Sequence, residues 1–249
     1  MRTLAPEPLP VPSGPPRLEK GVIQEREIRA GEVHEYRIAA QAGDYARVTV
    51  EQNGVDVAVR LVGPSDEEVA AADGAGGKKV PELLSWIAAA GGDFRLIISP
   101  HDPARAGLYK VTLEELRPAI PGDDKRIAAE RATSEATHRK AQESKESRIA
   151  AIAKFEEALP LWREVGDRQQ EVETLNGLGA VHWLLGETGK AVSVYDRALS
   201  LALDSGDLRG EALARNNLAL AYRDLGDSKK ALQLFRESLR LWEELKDSV

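Results

Sequence analysis

Asn176 and Asn216 stand 40 residues apart, at the same place in two similar stretches of a 249-residue chain. A carboxamide donates and accepts at once, which suits recognition of peptide main chain with its paired C=O and N–H groups. Ala180 and Trp183 lie four and seven residues beyond the first asparagine. Leu220 and Arg223 lie four and seven beyond the second, so each trio shares a face if the segments are helical. Trp and Arg are favoured at interface hot spots. These six residues form the candidate partner-binding groove. The alternative is structural: the amides bond across the seam between repeats, and Trp183 packs on the preceding one.

Other chemistry is thinly represented. His34, His101, His138 and His182 form no H-x-x-x-H pair and no local ligand set with carboxylates. His182 takes the position that Tyr222 holds 40 residues later, so a packing role is expected. His101-Asp102 sits in a proline-flanked loop and is a weak acid–base candidate. With no cysteine, thiolate metal sites, disulfides and a cysteine nucleophile are excluded. Gly74-Ala75-Gly76-Gly77-Lys78-Lys79 lacks the spacing and the closing Ser/Thr of a phosphate loop, and reads as a hairpin loop. The expectation is a binding protein, not an enzyme, with no cofactor and no metal.

Charge points the same way. The net charge is −7, and residues 1–120 carry 14 Lys+Arg against 18 Asp+Glu, leaving 20 against 23 for the rest. Mild acidity without a basic stripe does not suit phosphate binding, so nucleic acid is not the expected partner. Protein or peptide is. No apolar run has the length of a membrane span.

The elements that must position the candidate groove are repeated helices. AIAKFEEALPL (151–161), KAVSVYDRALSL (190–201) and KALQLFRESLRL (230–241) align on a period of 40. Ala151, Ala191 and Ala231 coincide; so do Phe155, Tyr195 and Phe235, and Leu159, Leu199 and Leu239. Each hairpin of such an array buries its apolar face only against neighbours. Gly166-Asp167 and Gly206-Asp207 place a C-terminal glycine before an N-capping aspartate. Trp162 and Trp242, two periods apart, are expected in repeat-to-repeat packing. The segment 125–144 is a weak first helix, charged and poor in large apolar residues.

Before residue 117 the period changes to two. VHEYRIA (33–39), YARVTVEQ (45–52), VDVAVRLV (55–62), FRLIIS (94–99) and LYKVTLEEL (108–116) alternate apolar and polar residues. About seven strands at this spacing predict an antiparallel sandwich. Asn53-Gly54 is a two-residue hairpin signal. PELLSWIAAA (81–90) reads as helix or strand, with Trp86 a core anchor either way. The expected division is a proline-rich, extended leader over 1–17, a β-sandwich over 18–120 and a helical repeat domain over 121–249. That is an α+β chain with its two classes in separate domains.

Leu175, Leu178, Gly179, His182, Ala191, Tyr195 and Ala198 resemble the tetratricopeptide repeat pattern, as do Leu218, Ala219, Tyr222, Ala231, Phe235 and Ser238. His182 and Arg215 depart from it. The resemblance implies an all-α solenoid of about three hairpins whose inner face binds a protein, and a main-chain-binding role for Asn176 and Asn216. Gly31-Glu32, VEQNGVDVAVRLVGP and AGLYKVTLEEL resemble the pre-peptidase C-terminal type of sandwich. Proteins of similar arrangement in bacteria often continue into a caspase-like CHAT domain. The resemblance therefore also admits a regulatory half of a larger protease, with a catalytic domain downstream of Val249, and a carbohydrate-binding sandwich. An unprocessed start implies the cytoplasm, and removal of a signal peptide implies export.

Overall fold

A computed structural model describes residues 14–72 and 81–247. Most of the proline-rich leader and the glycine–lysine loop at 74–79 lie outside the described residues. The chain divides into two compact units, the first ending at Ala119 and the second holding Ile120 onward.

The first unit contains eight strands: β1 (Ile23–Ile28), β2 (His34–Ala40), β3 (Asp44–Asn53), β4 (Val57–Val62), β5 (Glu68–Ala72), β6 (Glu82–Ile87), β7 (Gly92–Pro100) and β8 (Gly107–Pro118). They form two antiparallel four-stranded sheets, ordered β1-β8-β3-β6 and β2-β7-β4-β5. Alternation dictates the core. Tyr36, Ile38, Leu96 and Ile98 of one sheet meet Val48, Val50, Tyr109 and Val111 of the other, all fully buried.

One expectation is corrected and one open reading is decided. Asn53-Gly54 does not close a hairpin, because β3 bonds β8 and β6 whereas β4 bonds β7 and β5. Gly54 instead adopts φ 86° and turns the chain from one sheet into the other, with Val55 buried directly after it. A local dipeptide signal cannot distinguish a hairpin from a crossing between sheets, since both need the left-handed residue. The second concerns 81–90. Its helical reading gives way to strand β6, whose Trp86 stacks at a tilt on Phe94, ring centroids 6.0 Å apart, in the core.

The second unit contains six helices: α1 (Asp123–Ala141), α2 (Lys145–Val165), α3 (Arg168–Leu184), α4 (Thr188–Ser205), α5 (Leu208–Asp224) and α6 (Ser228–Asp247). They pair as α1–α2, α3–α4 and α5–α6, and α2 and α4 also pack on the first helix of the following pair. This is the helical solenoid that the 40-residue period implies. Gly166 and Gly206 end α2 and α4 at φ 79° and 70°, and Asp167 and Asp207 cap the next helices by accepting from Gln170 N–H and Gly210 N–H. The weak helix α1 succeeds by being small. Ala129, Ala132 and Ala136 are buried, and Trp162 of α2 lies on α1 and donates its indole N–H to Thr133 at 3.1 Å. Trp162 therefore packs within its own hairpin and not between repeats.

Candidate interaction surface

The first helix of each hairpin carries the residues in question. Small side chains set the closeness of the packing that positions them. A Cβ at Gly179 of α3 would stand 2.4 Å from the Tyr195 ring of α4, so only glycine admits this approach. A Cβ at Gly177 would stand 2.7 Å from the Phe155 ring of α2 in the same way.

The two asparagines part company. Asn176 is 3% exposed. Its Nδ2 donates to the Val172 carbonyl one turn back at 3.1 Å, and its Oδ1 accepts from Nδ2 of Asn217 on α5 at 3.2 Å. That amide is satisfied in the seam between α3 and α5. Asn216 is half-buried, and among the described residues its carboxamide makes no hydrogen bond. Leu213, 37% exposed, and the half-buried Leu220 flank it at three and four residues along the same helix.

Trp183 and Arg223 meet at one group. The Trp183 indole N–H donates to Asp224 Oδ2 at 2.7 Å, and Arg223 donates through Nε and Nη2 to Asp224 Oδ1 at 3.1 and 3.0 Å. The indole bond first, and the guanidinium after it, hold the Asp224 carboxyl below its ordinary range. Ala180 is half-buried on α3, and Leu184 beside Trp183 is 38% exposed. The structure thus brings Trp183 and Arg223 together and leaves Asn216 and Leu220 on the accessible face of α5, while Asn176 turns into the seam. Asn217 and Asp224 escape sequence reasoning because their 40-residue counterparts are Gly177 and Leu184. A period reveals only what is repeated.

Elsewhere, His182 is 9% exposed and bonds Glu187 Oε2 through Nδ1 at 2.6 Å. Its counterpart Tyr222 is held differently, its hydroxyl accepting from Lys230 Nζ at 2.6 Å. In the sandwich, His34 Nδ1 lies 2.7 Å from the Tyr109 hydroxyl, which lies 2.6 Å from the Tyr36 hydroxyl. Burial pushes the Tyr109 phenol well above its usual range and lowers the His34 imidazole. Both groups sit within the core of one unit. Among the described residues no group of three or more His, Cys, Asp or Glu could hold a metal ion, and no helix is long and apolar enough to cross a membrane.

Residues 145–204 and 194–244 match the model of the tetratricopeptide repeat family. Among solved structures, the tetratricopeptide domain of FLU from Arabidopsis is similar over 50% of this chain and 99% of that one, at 21% identity and a TM-score of 0.42. The pre-peptidase C-terminal domain of a Bacillus anthracis collagenase is similar over 42% of this chain and 99% of its own, at 18% identity and a TM-score of 0.35. PliG of Salmonella Typhimurium, a periplasmic inhibitor of g-type lysozyme, is similar over 42% of this chain and 100% of its own, at 16% identity and a TM-score of 0.32. No curated protein matches the chain.

Proposed function

We propose, from the premise that residues 145–244 are tetratricopeptide repeats, that this chain is a protein-interaction scaffold whose α3–α5 face takes a peptide or a partner helix. The carrying observation is Asn216: a half-buried carboxamide that makes no hydrogen bond among the described residues, set between two leucines that retain exposure. Such a group is matched to a peptide unit, donating to its C=O and accepting from its N–H, while Leu213 and Leu220 cover an apolar side chain of the ligand. Trp183 and Arg223, held by Asp224, form the fixed end of the surface, and Ala180 leaves room over α3. Asn176 contributes by holding α5 in register through Asn217. The reading is of binding, not catalysis.

A peptide array probed with the whole chain tests this. Asn216→Ala is expected to weaken capture of selected peptides by about tenfold, the loss of roughly 1–1.5 kcal/mol of hydrogen bonding. Its melting curve should match that of the parent. Peptides that bind the Asn216→Ala and Leu220→Ala variants as well as the parent would place the interaction elsewhere.

A further inference from the structure

A sheet of four strands has two edges, so the sandwich has four: β1 and β6 on one sheet, β2 and β5 on the other. An edge strand leaves a row of N–H and C=O groups unpaired, and folded proteins blunt it with charge, brevity, a bulge or a covering segment. Three of the four edges are blunted here. The residues before β2 cover that edge, since Leu18 N–H donates to the Arg37 carbonyl and Arg37 N–H to that of Pro16, both at 2.9 Å. β1 exposes Glu25, Arg26 and Glu27 in succession. β5 is five residues long, opens with Glu68 and shifts register on β4 between Leu61 and Val62.

β6 is bare by comparison. It pairs with β3 in unbroken register from Glu82 to Ile87, and Leu83-Leu84-Ser85-Trp86-Ile87 contains no charge, proline or glycine. Among the described residues no strand lies on its other side. Directly after the strand, Ala88 N–H donates to the Asp44 carbonyl of β3 at 2.8 Å. Successive residues of a strand turn their main-chain groups to opposite sides, so Trp86, Leu84 and Glu82 also face β3. Leu83, Ser85 and Ile87 therefore turn N–H and C=O to the open edge. Their side chains are half-buried on the outer face, whereas Leu84 and Trp86 are buried in the core.

We propose that β6 pairs antiparallel with β6 of a second copy of this chain, centred on Ser85, and so joins two four-stranded sheets into one. The segment is complementary to itself in that register. Ser85 opposes Ser85, and Leu83 of each copy opposes Ile87 of the other, so all three edge-facing residues exchange hydrogen bonds with their opposites. The outer face gains two leucine–isoleucine pairs. On the inner face Leu84 stands opposite Trp86. Glu82 meets Ala88, so no two like charges are opposed. The neighbouring registers are worse: they set Ile87 against Pro81, which has no N–H, or Leu83 against Ala89, beyond the strand. The two-fold axis closes the contact at a dimer. One strand pair is a small interface, which places the affinity in the weak, micromolar class.

The whole chain contains no cysteine, so single cysteines can read the register. Opposed Cα atoms in a hydrogen-bonded pair stand about 5.5 Å apart, within reach of a disulfide. Under mild oxidation Ser85→Cys should crosslink to a dimer at least about tenfold faster than Glu68→Cys on the β5 edge. Leu83→Cys and Ile87→Cys should each crosslink slowly alone and quickly when mixed. In sedimentation velocity the unaltered chain should pass from monomer at about 1 µM to dimer by about 200 µM. Leu83→Lys/Ile87→Lys sets lysine against lysine and should stay monomeric throughout, with circular dichroism reporting that it has folded. Asn216→Ala should leave the dimer intact, which separates it from the α3–α5 surface. A monomer at about 200 µM, or Ser85→Cys crosslinking no faster than Glu68→Cys, overturns the proposal. So does a dimer that the two lysines leave in place on a folded chain.

Discussion

The sandwich and the repeats bury their apolar residues by opposite strategies. In the sandwich, strands distant in sequence close one cluster that runs from Leu18 to Leu113. In the repeats, neighbouring helices close separate small clusters, many of whose members are alanine. A sheet core has no interior boundary at which damage can stop. A stack of hairpins has one at every seam.

The sharpest way to break the contrast is Phe94→Ala, which removes a ring packed on Trp86 between the sheets. It should lower sandwich stability by about 3–5 kcal/mol. Two-wavelength melting should then show the β transition displaced while the helical transition stays put. Gly179→Val comes next. It forces the α3–α4 hairpin apart at the Tyr195 ring for about 1–3 kcal/mol, and hydrogen exchange should show lost protection centred on that hairpin and leave the sandwich amides unaltered. Asn176→Ala should cost about 1–2 kcal/mol by stranding Asn217 in the seam, detected as a lower urea midpoint of the helical unit.

A smaller effect separates the units by pH. Burial, and secondarily Arg26, lowers the His34 imidazole in the folded sandwich, and Glu32 opposes them. The folded state therefore binds its proton less readily than the unfolded chain does. Stability is complete above the unfolded value of about 6.5 and declines as pH falls below it toward the lowered folded value. Urea titrations between pH 7.5 and 5 should show the decline in the sandwich transition, and His34→Gln should flatten it. Smallest of all, Asn216→Ala should change the helical midpoint by less than about 0.5 kcal/mol, in contrast with its neighbour one period earlier.

Periodicity made the repeats legible because each hairpin meets the same neighbours, so Ala191, Tyr195 and Ala198 recur where Ala151, Phe155 and Ala158 do. The sandwich strands were legible from alternation, and their partners were not. Nothing near Asn53-Gly54 says that β3 will bond β8 rather than β4, because that pairing depends on residues more than fifty positions away. The proposed binding surface was half legible. Asn216, Leu220, Trp183 and Arg223 were visible through spacing, but the division of labour between Asn176 and Asn216 rests on Asn217, which fills a place that is glycine one repeat earlier.

The indole of Trp183 and the carboxylate of Asp224 sit 41 positions apart and join one hairpin to the next. A bond in that place acts as a spring clip on the curvature of the array: bending that draws the two helices apart must first release it.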